Sequence, residues 1–128
     1  MITMDFEVKT YDIDFAGVVS NLVYVRWLED LRMAYLSSAM SLEDLVSRRL
    51  FPTLVHTSIN YRAPLRFPAH ARGEMRLLEA GKTSLTLEAI FRNSQSGEVV
   101  ADARQVGLIL DAETGRPAPV PEEILRIL

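Results

Sequence analysis

The 128-residue chain has no cysteine, which removes disulfides, thiolate nucleophiles and cysteine-based zinc sites together. It suits a reducing cytoplasm, the compartment expected here. Six glycines stand at 17, 73, 81, 97, 107 and 115, and none falls into a G-x-G-x-x-G or P-loop pattern. G-x-S-x-G is missing, so the serine of an α/β-hydrolase is out. The two histidines, His56 and His70, lack metal-ligand spacing, and no H-E-x-x-H occurs; no metal site is expected. Positive charge is not in excess either. The formal net charge is −3, so no global basic field draws in nucleic acid. No apolar run approaches the ~20 residues that span a bilayer. The opening MITMDFEVKT has neither the basic nor the apolar region of a signal peptide, and none is expected.

The hydrophobic share of 48% and charged share of 24% are ordinary for a globular domain. A chain of this size buries roughly two-thirds of its unfolded surface, enough for one core. A single domain, 1–128, is expected.

Ile2, Met4, Phe6 and Val8 alternate with Thr3, Asp5, Glu7 and Lys9, as in a strand with one buried face. The period then changes. Tyr24, Trp27, Leu28, Leu31 and Tyr35 follow at i, i+3, i+4, i+7 and i+11, the stripe of an amphipathic helix. Ser20 or Asn21 is placed to cap its start, and Arg26 is four residues from Asp30, the spacing of a helical ion pair. S-L-E-D at Ser41–Asp44 reads as a capping box opening a shorter helix. Four strands follow, near 53–63, 71–80, 83–92 and 98–111, with hairpin links at Gly81–Lys82 and Asn93–Gly97. Pro121, followed by Glu122 and Glu123, opens a short final helix. The expected architecture is α+β: a curved antiparallel five-stranded sheet wrapped around a long central helix, its last four strands in a meander.

The chemistry-bearing stretch is YDIDFAGVVSN, Tyr11–Asn21, where Asp12 and Asp14 stand among Phe15, Ala16, Val18 and Val19, with Gly17 breaking the apolar run. Read on into the helix, its skeleton is D-x-D-x-x-G-x-V-x-N-x-x-Y-x-x-W-x-E-x-x-R, carried by Asp12, Asp14, Gly17, Val19, Asn21, Tyr24, Trp27, Glu29 and Arg32. This resembles the hot-dog-fold acyl-CoA thioesterases of the 4-hydroxybenzoyl-CoA thioesterase family. N-Y-R-A-P-L-R-F (Asn60–Phe67) and G-K-T-S-L (Gly81–Leu85) are similar to two further segments of that family.

The resemblance implies an acyl-CoA or aroyl-CoA thioesterase. Its catalytic aspartate, the second of the D-x-D pair, falls on Asp14, as nucleophile or general base. The oxyanion site falls on the N-terminus of the central helix, with the N–H of Asn21 as donor. Gly17 permits the tight turn and close approach of the ligand. Phe15, Val18 and Val19 are expected to pack the turn and line an acyl pocket that keeps Asp14 partly dry, while Asp12 faces water or caps a turn.

Tyr24 and Glu29 are candidate substrate contacts, though Tyr24, like Trp27, also fits a plain core position. Lys82 is placed to meet a CoA phosphate as a point charge, and Ser84 to meet the pantetheine arm. His56, amid strand residues, reads as a satisfied buried or interface side chain and is also a candidate for the pocket. Where several relatives carry a Tyr-His pair, this chain has Ser20 and Asn21, so no imidazole is offered there. No cofactor is implied, since CoA is part of the substrate. The resemblance implies a homodimer or homotetramer. The alternatives are a thioesterase acting on acyl carrier protein and a non-catalytic acyl-CoA-binding module; a dehydratase of this fold leans on a helix-region histidine that is lacking.

Overall fold

A computed structural model describes residues 1–127. The elements run β1 (Ile2–Glu7), a one-turn 3-10 helix (Thr10–Asp12), α1 (Asn21–Ala39), α2 (Leu42–Ser47), β2 (Leu50–Tyr61), β3 (His70–Ala80), β4 (Ser84–Asn93), β5 (Val99–Asp111) and α3 (Glu122–Leu125). The five strands form one sheet in the order β1-β3-β4-β5-β2, every neighbouring pair antiparallel.

The helical stripe is buried as its spacing requires. Val23, Tyr24, Trp27, Leu28, Leu31, Tyr35 and Leu36 form the inward face of α1. They meet the inward rows of the sheet, Leu85, Leu87, Ala89 and Phe91 on β4 and Ala71, Met75 and Leu77 on β3. Trp27 stacks on Phe6 at 5.0 Å between ring centroids, and Tyr24 meets Phe91 edge-on at 5.4 Å. Gly73 makes room for this cluster, since a Cβ there would sit 2.8 Å from the Phe6 ring and 3.0 Å from Leu31. At the other end of α1 the Tyr35 hydroxyl accepts from the Leu77 N–H at 3.0 Å, beside the bulge in β3, and donates to the Ile127 carbonyl at 3.2 Å.

The meander is a correction. Only β3, β4 and β5 follow one another across the sheet; β2 lies outside β5, at the opposite edge from β1. The reason is the link 62–69. With Pro64 and Pro68 it cannot close a tight hairpin. It crosses the opening of α1 instead, burying Leu65 and giving the Leu65 carbonyl to the Val19 N–H at 2.8 Å.

The wrapping is also one-sided. Helix α1 packs on β1 and β3. The inward residues of β2, Thr57, Ile59 and Tyr61, remain exposed or half-buried and face α1 across an open groove.

Candidate active site

The Asp14–Val18 segment folds as a tight hairpin. The Asp14 N–H donates to the Val18 carbonyl at 2.9 Å and the Gly17 N–H to the Asp14 carbonyl at 3.0 Å. Gly17 sits at φ +79°, a left-handed conformation that glycine adopts without penalty. Oxygen Oδ1 of Asp14 accepts the N–H groups of Ala16 at 2.9 Å and Val18 at 3.3 Å, an Asx turn. Among the described residues Oδ2 accepts no hydrogen bond and stays available. The turn is docked on the 62–69 link by a Val18–Arg66 bridge and by Arg66 Nη1, which donates to the Ala16 carbonyl at 3.4 Å.

Asp12 caps the 3-10 turn, one of the two roles expected of it, but it is the buried aspartate, while Asp14 is the exposed one. Asp12 accepts the Lys9 N–H at 2.9 Å through Oδ2, and Arg26 lies 3.5 Å from Oδ1. Asp14 is exposed in a single chain, and Phe15 projects fully into solvent rather than lining a pocket. The cause is the hairpin: Asp14 Oδ1 must turn back toward the N–H groups of its own loop, which leaves the loop tip outside the core.

The backbone carbonyl of Asp12 accepts the Ser20 N–H at 2.9 Å, which closes the loop at its base and sets the turn beside the opening of α1. Ser20 is the N-cap residue, with extended backbone, but its side chain makes no capping bond, and no acidic residue lies in the first turn. Among the described residues, no acceptor meets the N–H groups of Asn21 and Leu22; that of Val23 reaches the Ser20 carbonyl at 3.0 Å. The positive end of the helix is therefore uncompensated.

A cavity of about 250 Å³ opens here, lined by Val18, Asn21, Tyr24, Tyr61 and Leu65 among others. Tyr61 spans it, its hydroxyl donating to the Asn21 carbonyl at 3.3 Å and its ring meeting Tyr24 edge-on at 5.7 Å. Burial pushes the Tyr24 phenol up to about 12. Glu29 lines a second chamber further along the groove, where it pairs with Arg32.

The other candidates lie elsewhere in one chain. Lys82 and Ser84 stand at the β3–β4 hairpin, at the end of the sheet away from the 62–69 link. His56 is exposed on β2 opposite Val106. That register puts it on the face turned away from α1, since the next pair, Thr57 and Gln105, faces the helix. Within one chain His56 is therefore neither buried nor turned toward the helix-opening cavity, which leaves the interface reading. Among the described residues no cluster of histidine, aspartate and glutamate could hold a metal ion, and no helix is long and apolar enough to cross a membrane.

Sequence reasoning passed over Thr57 and Gln105. Gln105 stands in the inward row Ala101, Ala103, Gln105, Gly107, Ile109 of β5, and a polar residue in that alternation was the available signal.

The structure thus presents an aspartate-bearing turn beside an open helix N-terminus, on an α+β sheet. A family model described as Thioesterase-like superfamily matches residues 8–128, and the chain belongs to that superfamily. The long-chain acyl-CoA thioesterase FadM of Escherichia coli (strain K12) is 25% identical over 118 residues, covering 92% of this chain and 89% of that protein. Among solved structures, the hypothetical protein TT1821 from Thermus thermophilus superposes with a TM-score of 0.85 at 27% identity, covering 98% of this chain and 95% of its own. Slr0204 from Synechocystis, a 1,4-dihydroxy-2-naphthoyl-CoA thioesterase, superposes with a TM-score of 0.88 at 22% identity, covering 98% and 93%. The fold is the hot-dog fold of these thioesterases, as its sequence resemblance implied.

Proposed function

We propose that this chain is a single-domain thioesterase, residues 1–128, that hydrolyses an acyl- or aroyl-CoA to the free acid and CoA, with Asp14 as its catalytic carboxylate. The observation that supports this reading is that, among the described residues, one Asp14 oxygen accepts no hydrogen bond and the N–H groups of Asn21 and Leu22 at the start of α1, just past the Asp14 turn, meet no acceptor. A thioester carbonyl seated on those N–H groups has its developing negative charge stabilised by fixed donors and by the helix dipole. The carboxylate then either adds to the carbonyl carbon, expelling CoA thiolate and leaving an anhydride that water cleaves, or takes a proton from the water that adds. Thiolate leaves readily, so no strong general acid is required.

The names of relatives support the substrate class: one acts on long-chain acyl-CoA, another on an aroyl-CoA. The acyl group enters the groove between α1 and β2, past Tyr24 and Tyr61.

The active unit in this reading is at least a dimer. Strand β2 is twelve residues long and pairs with β5 on one side only; such an edge favours continuation by a second copy. Antiparallel pairing of two β2 strands sets the Lys82 end of one copy at the same side of the assembly as the Asp14 end of the other. There Lys82 meets a CoA phosphate, Ser84 the pantetheine arm, and His56 the interface. The same contact dries the exposed Asp14.

A thiol-reactive dye reports CoA release from aromatic, short, medium and long acyl-CoAs. Release by the parent supports hydrolysis, binding without release marks a non-catalytic module, and turnover only on loaded acyl carrier protein changes the carrier.

A further inference from the structure

The groove does not end at Tyr24. The chamber at the helix opening shares Tyr61 with a second of about 360 Å³, which shares Glu29 and Arg32 with a third of about 220 Å³ near α2. Val25, Leu54, Ile59 and Tyr61 give the second chamber its apolar wall, and the other half of its lining is a chain of four linked polar side chains, Glu29, Arg32, Gln105 and Thr57. Gln105, 2% exposed, accepts from Arg32 Nη1 at 3.0 Å and donates through Nε2 to Thr57 Oγ1 at 3.2 Å. The Arg32 side chain is 13% exposed, while its carboxylate partner Glu29 is 56% exposed at the rim. Burial lowers the Arg32 pKa, but a guanidinium stays charged in a protein.

A chain of contacts of this kind is costly where an apolar residue would simply fill the core. A glutamine between Ala103 and Gly107 needs partners to be tolerated, and a buried arginine more so. Among the described residues, Gln105 and Glu29 are the only hydrogen-bond acceptors Arg32 meets, and a guanidinium offers five N–H donors. Arg32 lines this chamber, which in the proposed reading lies on the path of the acyl chain. From Asn21 to Arg32 the helix rises about 16 Å, and helical side chains lean toward the N-terminus. The guanidinium is therefore reached by the far part of an acyl group, not by its thioester.

Resting on the thioesterase reading, we propose that Arg32, held in place by Gln105 and Thr57, is a subsite for an acceptor oxygen at the far end of the acyl group. The preferred substrate carries a carboxylate or hydroxyl there, and a plain hydrocarbon chain is disfavoured because it must lie against a charge it cannot solvate.

The test is calorimetric binding to the Asp14→Asn protein, in which turnover is suppressed. Three acyl-CoAs of one medium chain length are compared, ending in a carboxylate, a hydroxyl or a methyl group. The oxygen-ended thioesters are expected to bind roughly tenfold to a hundredfold more tightly than the methyl-ended one, the range for a hydrogen bond to a charged group. Arg32→Met in the same background brings the three together. Should that variant fail to fold, Thr57→Val, on the exposed edge strand, frees Gln105 and narrows the preference severalfold. Glu29→Gln separates the two oxygen sources: it widens the preference for a carboxylate end and leaves that for a hydroxyl end unchanged. Equal binding of all three thioesters, no binding of any, or a preference untouched in both Arg32→Met and Thr57→Val overturns the subsite. Binding with the predicted preference but no CoA release from the parent would remove the hydrolytic reading and leave the subsite standing.

Discussion

Arg26 reaches across to Asp12, 3.5 Å from its carboxylate, rather than along its own helix to Asp30. The contact ties the body of α1 to the loop that precedes it, and it divides the labour of the D-x-D pair. Asp12 is a buried anchor, bonded to the Lys9 N–H and closing the loop base through its carbonyl. Asp14 is the exposed member with an oxygen to spare. Asp12→Asn should therefore act on stability, lowering it by about 1–3 kcal/mol for a weakened hydrogen bond and ion pair, seen as a lower midpoint of urea unfolding with an unchanged slope. Its kcat should fall far less than that of an Asp14 variant. A kcat loss as deep as at Asp14 would reverse the assignment.

Gly17→Ala isolates the backbone of the turn. No atom lies within 4 Å of the added Cβ, so the cost is conformational alone, about 1–2 kcal/mol for a side chain at φ +79°. The turn relaxes, Asp14 moves with it, and kcat falls more than KM changes. Gly17→Asn should recover part of the loss, since asparagine tolerates this region better. Equal kcat for Gly17→Ala and the parent would separate the turn from the chemistry.

Much of this was legible from alternation and period. Phe6, the Tyr24–Tyr35 stripe and the Leu85–Phe91 row are buried as their spacing demands, because inward parity on a strand and a 3.6-residue stripe on a helix are local properties. The place of β2 was not legible, because strand order depends on where a link can cross, and Pro64 signals only that the strand ends. Arg26 had two carboxylates within reach, and helical spacing names only Asp30; the loop geometry that lifts Asp12 toward it is tertiary. Ser20 caps α1 by its backbone and not its hydroxyl, a difference of rotamer that residue type cannot express. The proposal of Asp14 as the functional carboxylate rests on motif spacing, to which the fold adds the open helix N-terminus that follows the turn.

Tyr24 gives stability a dependence on alkaline pH. Its phenol is pushed up to about 12 by burial, against 10.0 when free. Between those values the unfolded chain loses this proton and the folded one keeps it, so fewer protons are bound when unfolded and stability falls as pH rises. The contribution is fully present below pH 10 and declines toward pH 12 by roughly 2–3 kcal/mol. Urea unfolding at stepped pH checks this: Tyr24→Phe should decline less steeply over that interval, and parallel curves for the two proteins would refute it.

Lys82 lies away from Asp14 in one chain, so its proposed role requires a shared site. Light scattering should give at least twice the 14.4 kDa chain mass. Lys82→Ala should raise KM for CoA thioesters and leave KM for short pantetheine thioesters unchanged, since only the former carry the nucleotide phosphates. A monomer, or equal effects on both substrates, would exclude the contact.

The most direct measurement is the rate of CoA release by the parent and by Asp14→Asn on the best acyl-CoA of the panel. Asparagine keeps the Oδ1 that accepts the Ala16 and Val18 N–H groups, so the turn and the unfolding midpoint should be preserved. Turnover should fall on the order of 10³-fold or more, as when a nucleophile or base is removed. In heavy-oxygen water a first turnover yielding unlabelled acid marks attack by the carboxylate, because only then does the product take its new oxygen from Asp14. An Asp14→Asn protein that is folded and releases CoA at the parental rate would contradict the account.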